Sequence, residues 1–381
     1  MSTRLVIISE IIAPYRIPVF NALAQRSEIE LRVIFLSEND PTFRRWRVYK
    51  DEIDFSYEVL PSWRYRLGKH SFLLNCGMLR ALDRINPEAV LCGGYNYISS
   101  WQAAYWAGAN RVPFLLWSES TAFDRRRKYR TTEFMKQYFL RLCSAFVVPG
   151  KSSANYLRTF GIPEASIFTA PNAVDNLLFS RFAEGARANE LAVRSRQHLP
   201  ERYFLYVGRL IKEKGVFDLL QAYAQLPAQT RRGIGLVFAG SGARSVELAH
   251  RASQITAGTV RFLDFVHRDD LAEIYALAEA LIFPTHSDPW GLVVNEAMAC
   301  GLPVIATDVA GCALDLVMHG YNGFLVEPGD VSGLCLAMTQ LAGNAELRMQ
   351  MGSASLERSQ EYSPEKWADG ICEAIQFVRP A

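Results

Sequence analysis

The sequence predicts an α/β protein made of two doubly wound domains, each with its own parallel sheet. Three observations lead there. Short apolar runs rich in β-branched residues recur along the 381 residues. Their hydrophobicity is continuous rather than alternating, as in strands buried on both faces. Helix-length segments separate them, which is the alternation of α/β folds. The length itself exceeds one ordinary core and suits two domains of roughly 150 to 200 residues each.

In chain order, the first half offers strands at RLVIISE (4–10), LRVIFLS (31–37), SYEVLPS (56–62), AVLCGG (89–94), PFLLWSE (113–119), AFVVPG (145–150) and SIFTAPN (166–172). The second half offers YFLYVGR (203–209), GLVFAGS (235–241), TVRFLDFV (259–266), ALIFPTH (280–286), PVIATDVAG (303–311) and GFLVEPGD (323–330). Helices are expected at 17–27, 71–86, 99–109, 131–143, 151–160, 214–226, 244–256, 269–279, 292–300 and 331–342. The stretch 176–202 has many charges and few strand signals, and a new strand follows it at once. It is expected to be the linker between a first domain over 1–178 and a second over 179–362. Residues 363–381 read as a terminal helix. Ligands of doubly wound sheets bind outside the carboxyl ends of the strands, so two such domains are expected to share a cleft.

Net charge is only +2, which gives no whole-protein attraction to nucleic acid. The seven cysteines (76, 92, 143, 300, 312, 335, 372) have no C-x-x-C pair and read as reduced thiols. Glu10 interrupts the apolar N-terminal run, so no signal peptide is expected. No stretch reaches the roughly 18 apolar residues of a spanning helix. A cytoplasmic protein is expected, with contact at the inner membrane surface left open.

The chemistry concentrates after residue 203. Arg209 and Lys214 follow a strand end and precede a helix, an arrangement suited to an anion; surface charge on a loop is the bland alternative. The segment VFAGSGARS contains Gly240 and Gly242, half of a dinucleotide fingerprint. It does not sit on the first strand of a domain, where that signature belongs, so a tight turn allowing close approach of some ligand is the preferred reading. Asp269 is expected to cap the helix that follows. In SDPWGLVVNEAMACG, Pro289, Trp290 and Gly291 form a turn and a helix starts near Leu292. The amides of Gly291, Leu292 and Val293 are then unpaired and suit a phosphate. Asp288 before the turn and Glu296 just over one turn inside the helix fit a ligand with sugar, phosphate and ribose in a row. Each carboxylate alone reads equally as a cap or a dipole partner. No histidine pair or His/Cys cluster has metal-ligand spacing. His286 either lines the site or is satisfied locally.

The order GRLIKEKG, GSG, DLAEIYALAEALIFPT, D-x7-E and GYNGFLVEPGD, with TAPNAVDNLLF upstream, resembles the retaining glycosyltransferases of family 4, the bacterial surface-polysaccharide or group 1 type. PYRIPVFNALAQR (14–26) resembles a variant among them. The resemblance implies the GT-B fold, with two Rossmann-like domains facing across a cleft. It also implies a nucleotide-diphosphate sugar as donor, a carbohydrate or lipid-diphosphate-linked glycan as acceptor, and no metal. By that resemblance Arg209 and Lys214 neutralise the diphosphate, Asp288 meets the donor sugar and Glu296 the ribose. Gly208, Gly240, Gly242, Trp290, Gly291, Leu292 and Val293 line the donor, and the backbone at Val266 and His267 meets the base. Two departures stand out: Asp288 replaces the usual Glu, and LLWSES places Glu119 where many members carry His. Tyr15, Arg16 and Glu119 are the acceptor-side candidates, Glu119 being equally an ordinary strand-end carboxylate. The basic-aromatic segments 43–50, 63–70 and 123–130 suit an anionic membrane surface better than nucleic acid here, and solvated loops remain the alternative. A family relic that binds without turnover and a nicotinamide enzyme are the competing readings.

Overall fold

The computed structural model describes residues 2–39, 47–67, 70–123 and 130–379. The segments 43–50, 63–70 and 123–130 fall in part outside these residues. The chain divides into two compact units: 1–173 with 363–381, and 174–362.

In the first unit the strands are β1 (Thr3–Ser9), β2 (Ile29–Phe35), β3 (Ser56–Val59), β4 (Ser62–Leu67), β5 (His70–Asn75), β6 (Ala89–Cys92), β7 (Phe114–Trp117), β8 (Ala145–Val148) and β9 (Ile167–Thr169). Seven of them form one sheet in the order β3-β2-β1-β6-β7-β8-β9, all parallel. In the second unit β10 (Tyr203–Val207), β11 (Gly235–Ala239), β12 (Val260–Leu263), β13 (Ala280–Phe283), β14 (Val304–Thr307) and β15 (Gly323–Val326) run in the order β12-β11-β10-β13-β14-β15, again parallel.

The unbroken hydrophobic runs now have a physical cause. Successive side chains of a strand point to opposite faces, and both faces are covered. In β1, Leu5 and Ile7 join the core that holds Trp117 and Trp367, while Val6 and Ile8 join the opposite core with Phe114 and Phe139. In the second unit Tyr203 and Leu205 face one core, and Phe204 and Tyr206 the other. The terminal helix Pro364–Val378 belongs to the first unit, where Trp367 and Ile371 pack in the same core as Phe20. Among the described residues no helix is long and apolar enough to cross a membrane.

Three expectations need correction. The supposed linker at 176–202 is two helices, Asn176–Ala188 and Glu190–Gln197. Asp175 caps the first by accepting from the Leu178 N–H (2.9 Å). Phe179, Ala183, Ala186 and Val193 are buried in a core of the second unit, so the charges that suggested a linker decorate exposed helix faces, and the unit boundary falls at 173/174. The expected helix at 71–86 begins only at Met78, after Gly77 in the left-handed region (φ 95°). Residues 70–75 instead form β5, antiparallel to β4, with Trp63 opposite Leu74. The apolar run SFLLN is short enough to fit a helix or a strand, and its pairing with WRYRL decides for the strand. Finally, Asp269 does not cap its helix. The helix spans Arg268–Ala276 with His267 at the cap and no side-chain cap bond, and Asp269 lies in its first turn beside Arg268 (3.3 Å).

Candidate functional site

The carboxyl ends of β10, β11 and β13 are built from loops that touch through their backbones. After β10 the chain turns at Gly208 (φ 145°), and the Tyr206 hydroxyl donates to the Arg209 carbonyl (2.9 Å). The Gly208 N–H donates to Ala239 O (3.0 Å) and the Leu210 N–H to Ser241 O (3.0 Å), so this loop runs beside the one after β11. A Cβ on Gly240 would lie 2.1 Å from Gly208 O, and one on Gly242 2.3 Å from Leu210 O. The close approach that the G-x-G serves is therefore that of the chain's own backbone, and the half-fingerprint needs no ligand to account for it.

Arg209 stands exposed at this end with no ion pair among the described residues. Lys214 closes a short 3-10 turn (Lys212–Lys214) before the helix Val216–Gln225. Gly215 between them has φ 66°, and a Cβ there would sit 1.8 Å from Pro284 O. Glycine is thus required for the helix start to press against the end of β13. That contact brings Lys214 Nζ to Asp288 Oδ2 as an ion pair, both side chains mostly covered, and to Ser287 O (3.2 Å). The second Asp288 oxygen accepts from the Trp290 N–H (3.2 Å). Asp288 is therefore engaged by Lys214 and by its own loop in this structure.

The turn itself is pinned from behind. Trp290 is buried and its indole N–H donates to Asn295 Oδ1 (2.9 Å). The Gly311 N–H donates to Asp288 O (3.0 Å) and the Cys312 N–H to Trp290 O (3.2 Å). Trp290 thus contributes backbone, not its ring, to the surface. Gly291 (φ 101°) caps the helix Leu292–Ala299. Val294 is the first residue whose N–H is paired back into the turn, to Gly291 O (2.9 Å). The amides of Leu292 and Val293 precede it, as the start of any helix requires.

Glu296 follows just over one turn later. Its Oε2 accepts from the Tyr275 hydroxyl (2.8 Å). Burial pushes its carboxyl up to about 7, against the opposing pull of the Tyr275 hydrogen bond and the Arg268 charge. Val266 packs partly against the core. His267 is exposed and meets the exposed Phe265 ring edge-on (5.1 Å). His286 is satisfied locally: its Nε2 pairs with Asp218 Oδ2 (2.6 Å), and its backbone N–H donates to Glu213 O (2.9 Å). Tyr275 and Asp218 were invisible to sequence reasoning, because each lies in an ordinary amphipathic helix and its partner is distant in the chain. Among the described residues no group of three or more His, Cys, Asp or Glu side chains is gathered.

The strand ends of the first unit carry the other candidates. Arg16 ends a 3-10 turn (Pro14–Arg16) that leads into the helix Ile17–Ala24. Its Nη1 donates to Ser9 Oγ at the end of β1 (3.3 Å), and its guanidinium lies over the Trp117 ring at the end of β7 (4.2 Å). Its Nη2 faces Glu119 Oε1 at 3.6 Å. Tyr15 is half-buried beside it, with the Arg16 Cζ 5.9 Å from its ring centroid. The sequence reading named Tyr15, Arg16 and Glu119, and the structure gathers them; Ser9 and Trp117 carried no signal beyond strand-end position.

Comparison with known proteins fits this arrangement. The family model for glycosyl transferases group 1 matches residues 189–358, and that for glycosyltransferase family 4 matches residues 20–176. The chain belongs to the family 4, group 1 glycosyltransferases. A curated member, the O-antigen chain mannosyltransferase B of Escherichia coli, is 29% identical over 60% of this chain and 58% of its own length. Glycogen synthase of Mycobacterium tuberculosis is 32% identical over 40% of this chain and 37% of its own length. The matched stretches thus span between about a third and three-fifths of those relatives. Among solved glycosyltransferase-like structures, HepE of Anabaena in complex with UDP and glucose superposes with a TM-score of 0.76. It covers 99% of this chain and 100% of its own at 18% identity, which establishes the shared GT-B fold of two Rossmann-like domains.

Proposed function

We propose that this family 4 chain is a retaining glycosyltransferase. It moves a sugar from a nucleotide-diphosphate sugar to a carbohydrate or lipid-linked acceptor in the assembly of a cell-surface glycan, an exopolysaccharide or lipopolysaccharide. One observation carries the reading. Two cations, Arg209 and Lys214, and a helix start at Gly291 that has no side-chain cap lie at the ends of the adjacent strands β10 and β13, with Glu296 just inside that helix. The E. coli relative is named for mannosyl transfer to an O-antigen chain, and HepE was solved with UDP and glucose. Both names are consistent with a nucleotide-sugar donor here.

The chemistry follows from charge. Cleaving a glycosyl–phosphate bond leaves positive charge on the sugar, in an oxocarbenium-like transition state, and negative charge on the departing diphosphate. The Arg209 guanidinium, the Lys214 ammonium and the first amides of the Leu292–Ala299 helix are pre-oriented donors for that charge, each typically worth roughly 3 kcal/mol in the barrier. Glu296, ionised, accepts from ribose hydroxyls, and Tyr275 holds it in place. Asp288 aligns Lys214 and is the carboxylate nearest the sugar side. These groups neutralise the diphosphate without a divalent ion, and no metal or other cofactor is part of the proposal. The chain is proposed to work in the cytoplasm, on the inner face of the membrane where a lipid-linked acceptor would be presented.

A thermal-shift screen against UDP, GDP, ADP and CDP, with and without EDTA, tests this. One diphosphate should stabilise the protein equally in both conditions. A ligand at a hundred times its dissociation constant adds about 2.7 kcal/mol. No shift with any of the four would overturn the reading, and a shift abolished by EDTA would overturn its metal-free part.

A further inference from the structure

Lys214 carries its ammonium on a flexible stem, and the loop that bears it is thinly packed. The 3-10 turn Lys212–Lys214 has no buried residue. A long cation is a pre-oriented donor only where its surroundings restrict that freedom. The segment after β13 supplies the restriction. Thr285 is fully buried there. Its carbonyl accepts from the Thr307 hydroxyl at the end of β14 (2.5 Å), and its own hydroxyl donates to Ser287 O (3.0 Å). Ser287 O, which accepts from the Lys214 ammonium at 3.2 Å, is thereby a fixed point.

His286 fastens the Lys214 loop to this segment from both sides. Its backbone N–H donates to the carbonyl of Glu213, the residue before Lys214 (2.9 Å). Its ring Nε2 meets Oδ2 of Asp218, one turn beyond Lys214 in the helix Val216–Gln225 (2.6 Å). The two contacts straddle Lys214. An aspartate in a first helical turn often serves the helix dipole alone, but this oxygen is committed to the ring. Both side chains are mostly covered. A carboxylate only accepts, so Nε2 is the donor and the ring orientation is set. The loop after β15 reaches the ring as well, where a Cβ on Gly329 would lie 3.7 Å from its Cε1.

We propose that His286 and Asp218 are positioning residues for Lys214. They hold its loop against the end of β13, so that the ammonium is aimed before a ligand arrives. Neither touches the ligand, and both act through Lys214. That the ligand is a nucleoside diphosphate rests on the glycosyltransferase reading. The consequence for binding is selective. Losing the His286–Asp218 contact frees the lysine, so the preference for a diphosphate over a monophosphate falls.

The test titrates the full chain with UDP, GDP, ADP and CDP, each against its own monophosphate, by calorimetry. The diphosphate that binds the wild type should be preferred over its monophosphate. Lys214→Met should cut that preference about tenfold or more, the scale of a hydrogen bond to a charged group. His286→Ala should cut it by a similar factor. Asp218→Ala, which breaks the contact from the other side, should do the same and guards against a folding defect in the first variant. His286→Gln, whose side-chain amide can donate to Asp218 in place of Nε2, should restore the preference. The double variant His286→Ala/Lys214→Met should bind the diphosphate no more weakly than Lys214→Met alone, because the ring acts only through the lysine. A merely structural brace would weaken both nucleotides alike and add to the loss in the double variant. Either of those results, or an unchanged preference in His286→Ala and Asp218→Ala, would overturn the inference. If a diphosphate binds and depends on Lys214 but not on His286, this inference alone falls; if no diphosphate binds the wild type, the transferase reading falls and this inference with it.

Discussion

The two units use the same parallel, doubly wound architecture but finish their strands differently. At the ends of β10, β11 and β13 the backbone segments are packed so closely that Gly215, Gly240 and Gly242 have no room for a Cβ, and Arg209 is exposed there with no ion-pair partner among the described residues. At the ends of β1, β6 and β7 the charges are paired, Arg16 with Glu119 and Arg64 with Glu10. Glycine is a preference there rather than a demand, since a Cβ on Gly93 would meet its nearest atom at 3.2 Å. A cation without an ion pair among the described residues, Arg209, near a helix start suits a polyanion, although Lys214 beside it is paired with Asp288 just as Arg16 is with Glu119. The shared fold provides the strand ends, and the side chains placed on them decide the chemistry.

The largest expected effect tests the polyanion end. Arg209→Ala removes an exposed cation that makes no ion pair within the described residues, so its loss should leave the fold intact and fall on the reaction. Turnover of the donor should drop by a factor of about 100 or more, the scale of one charge-stabilising donor, with the melting temperature of the free protein unchanged within about 2 °C. Near-normal rates would remove Arg209 from the site and with it the contrast between the units.

The next effect separates scaffold from ligand contact. Gly240→Ala places a Cβ 2.1 Å from Gly208 O at φ 136°, and every atom it meets is Gly208 backbone rather than a movable side chain. Overpacking of this kind typically costs about 1–3 kcal/mol, with backbone strain in addition. Chemical denaturation should show the loss in the absence of any nucleotide. A variant of normal stability that had lost only nucleotide binding would show that the G-x-G serves a ligand after all.

Glu296 supplies a pH signature for the second unit. Burial raises its carboxyl from the ordinary 4.5 to about 7, so the folded chain binds this proton more tightly than the unfolded one. Its contribution to stability is therefore greatest at low pH, declines as pH rises from about 4.5 to about 7, and levels off above. Glu296→Gln should flatten that part of the stability profile and be the more stable protein at pH 8, by on the order of 1–3 kcal/mol. Nucleotide affinity of the wild type should rise as pH passes 7, because the ionised carboxylate is the form that accepts from a ribose. Parallel stability profiles for the two proteins would show that Glu296 is not held in a buried, proton-binding setting.

How much of this was legible in the sequence depended on distance along the chain. The strands β1, β10 and β13 announced themselves because both faces are buried and each carries an unbroken apolar run, residues 5–8 in β1, Tyr203–Val207 in β10 and Ala280–Phe283 in β13. The turn before Leu292 did so because Asp288, Gly291 and Glu296 lie within a few residues of one another. The helices at 176–197 stayed hidden because only some of their apolar residues, Phe179, Ala183, Ala186 and Val193, are buried, while Leu177 and Leu191 are exposed and charged residues are interspersed among them. The hairpin of β4 and β5 stayed hidden because its exposed face carries Trp63 and Tyr65, which blurs the usual alternation. Arg16 and Glu119 could be named separately as strand-end residues, but their pairing through Ser9 and Trp117 exists only once the sheet order places β7 beside β6 and β6 beside β1. No spacing rule reports that. For the same reason the engagement of Asp288 by Lys214 became visible only when Gly215 was seen pressed against Pro284.

The smallest expected effect tests whether the paired end is a ligand site or a structural clamp. Ion pairs that are partly exposed and longer than a hydrogen bond contribute about 0–1 kcal/mol, and the Arg16–Glu119 pair is of that kind, at 3.6 Å with Glu119 a third exposed. Arg16 keeps its Ser9 contact and its place on Trp117 whether or not Glu119 is charged. Glu119→Gln should therefore melt within about 2–4 °C of the wild type. A large loss of stability would mean that the pair braces the ends of β1 and β7. The pair would then belong to the fold rather than to an acceptor site, and the two sets of strand ends would differ in packing alone.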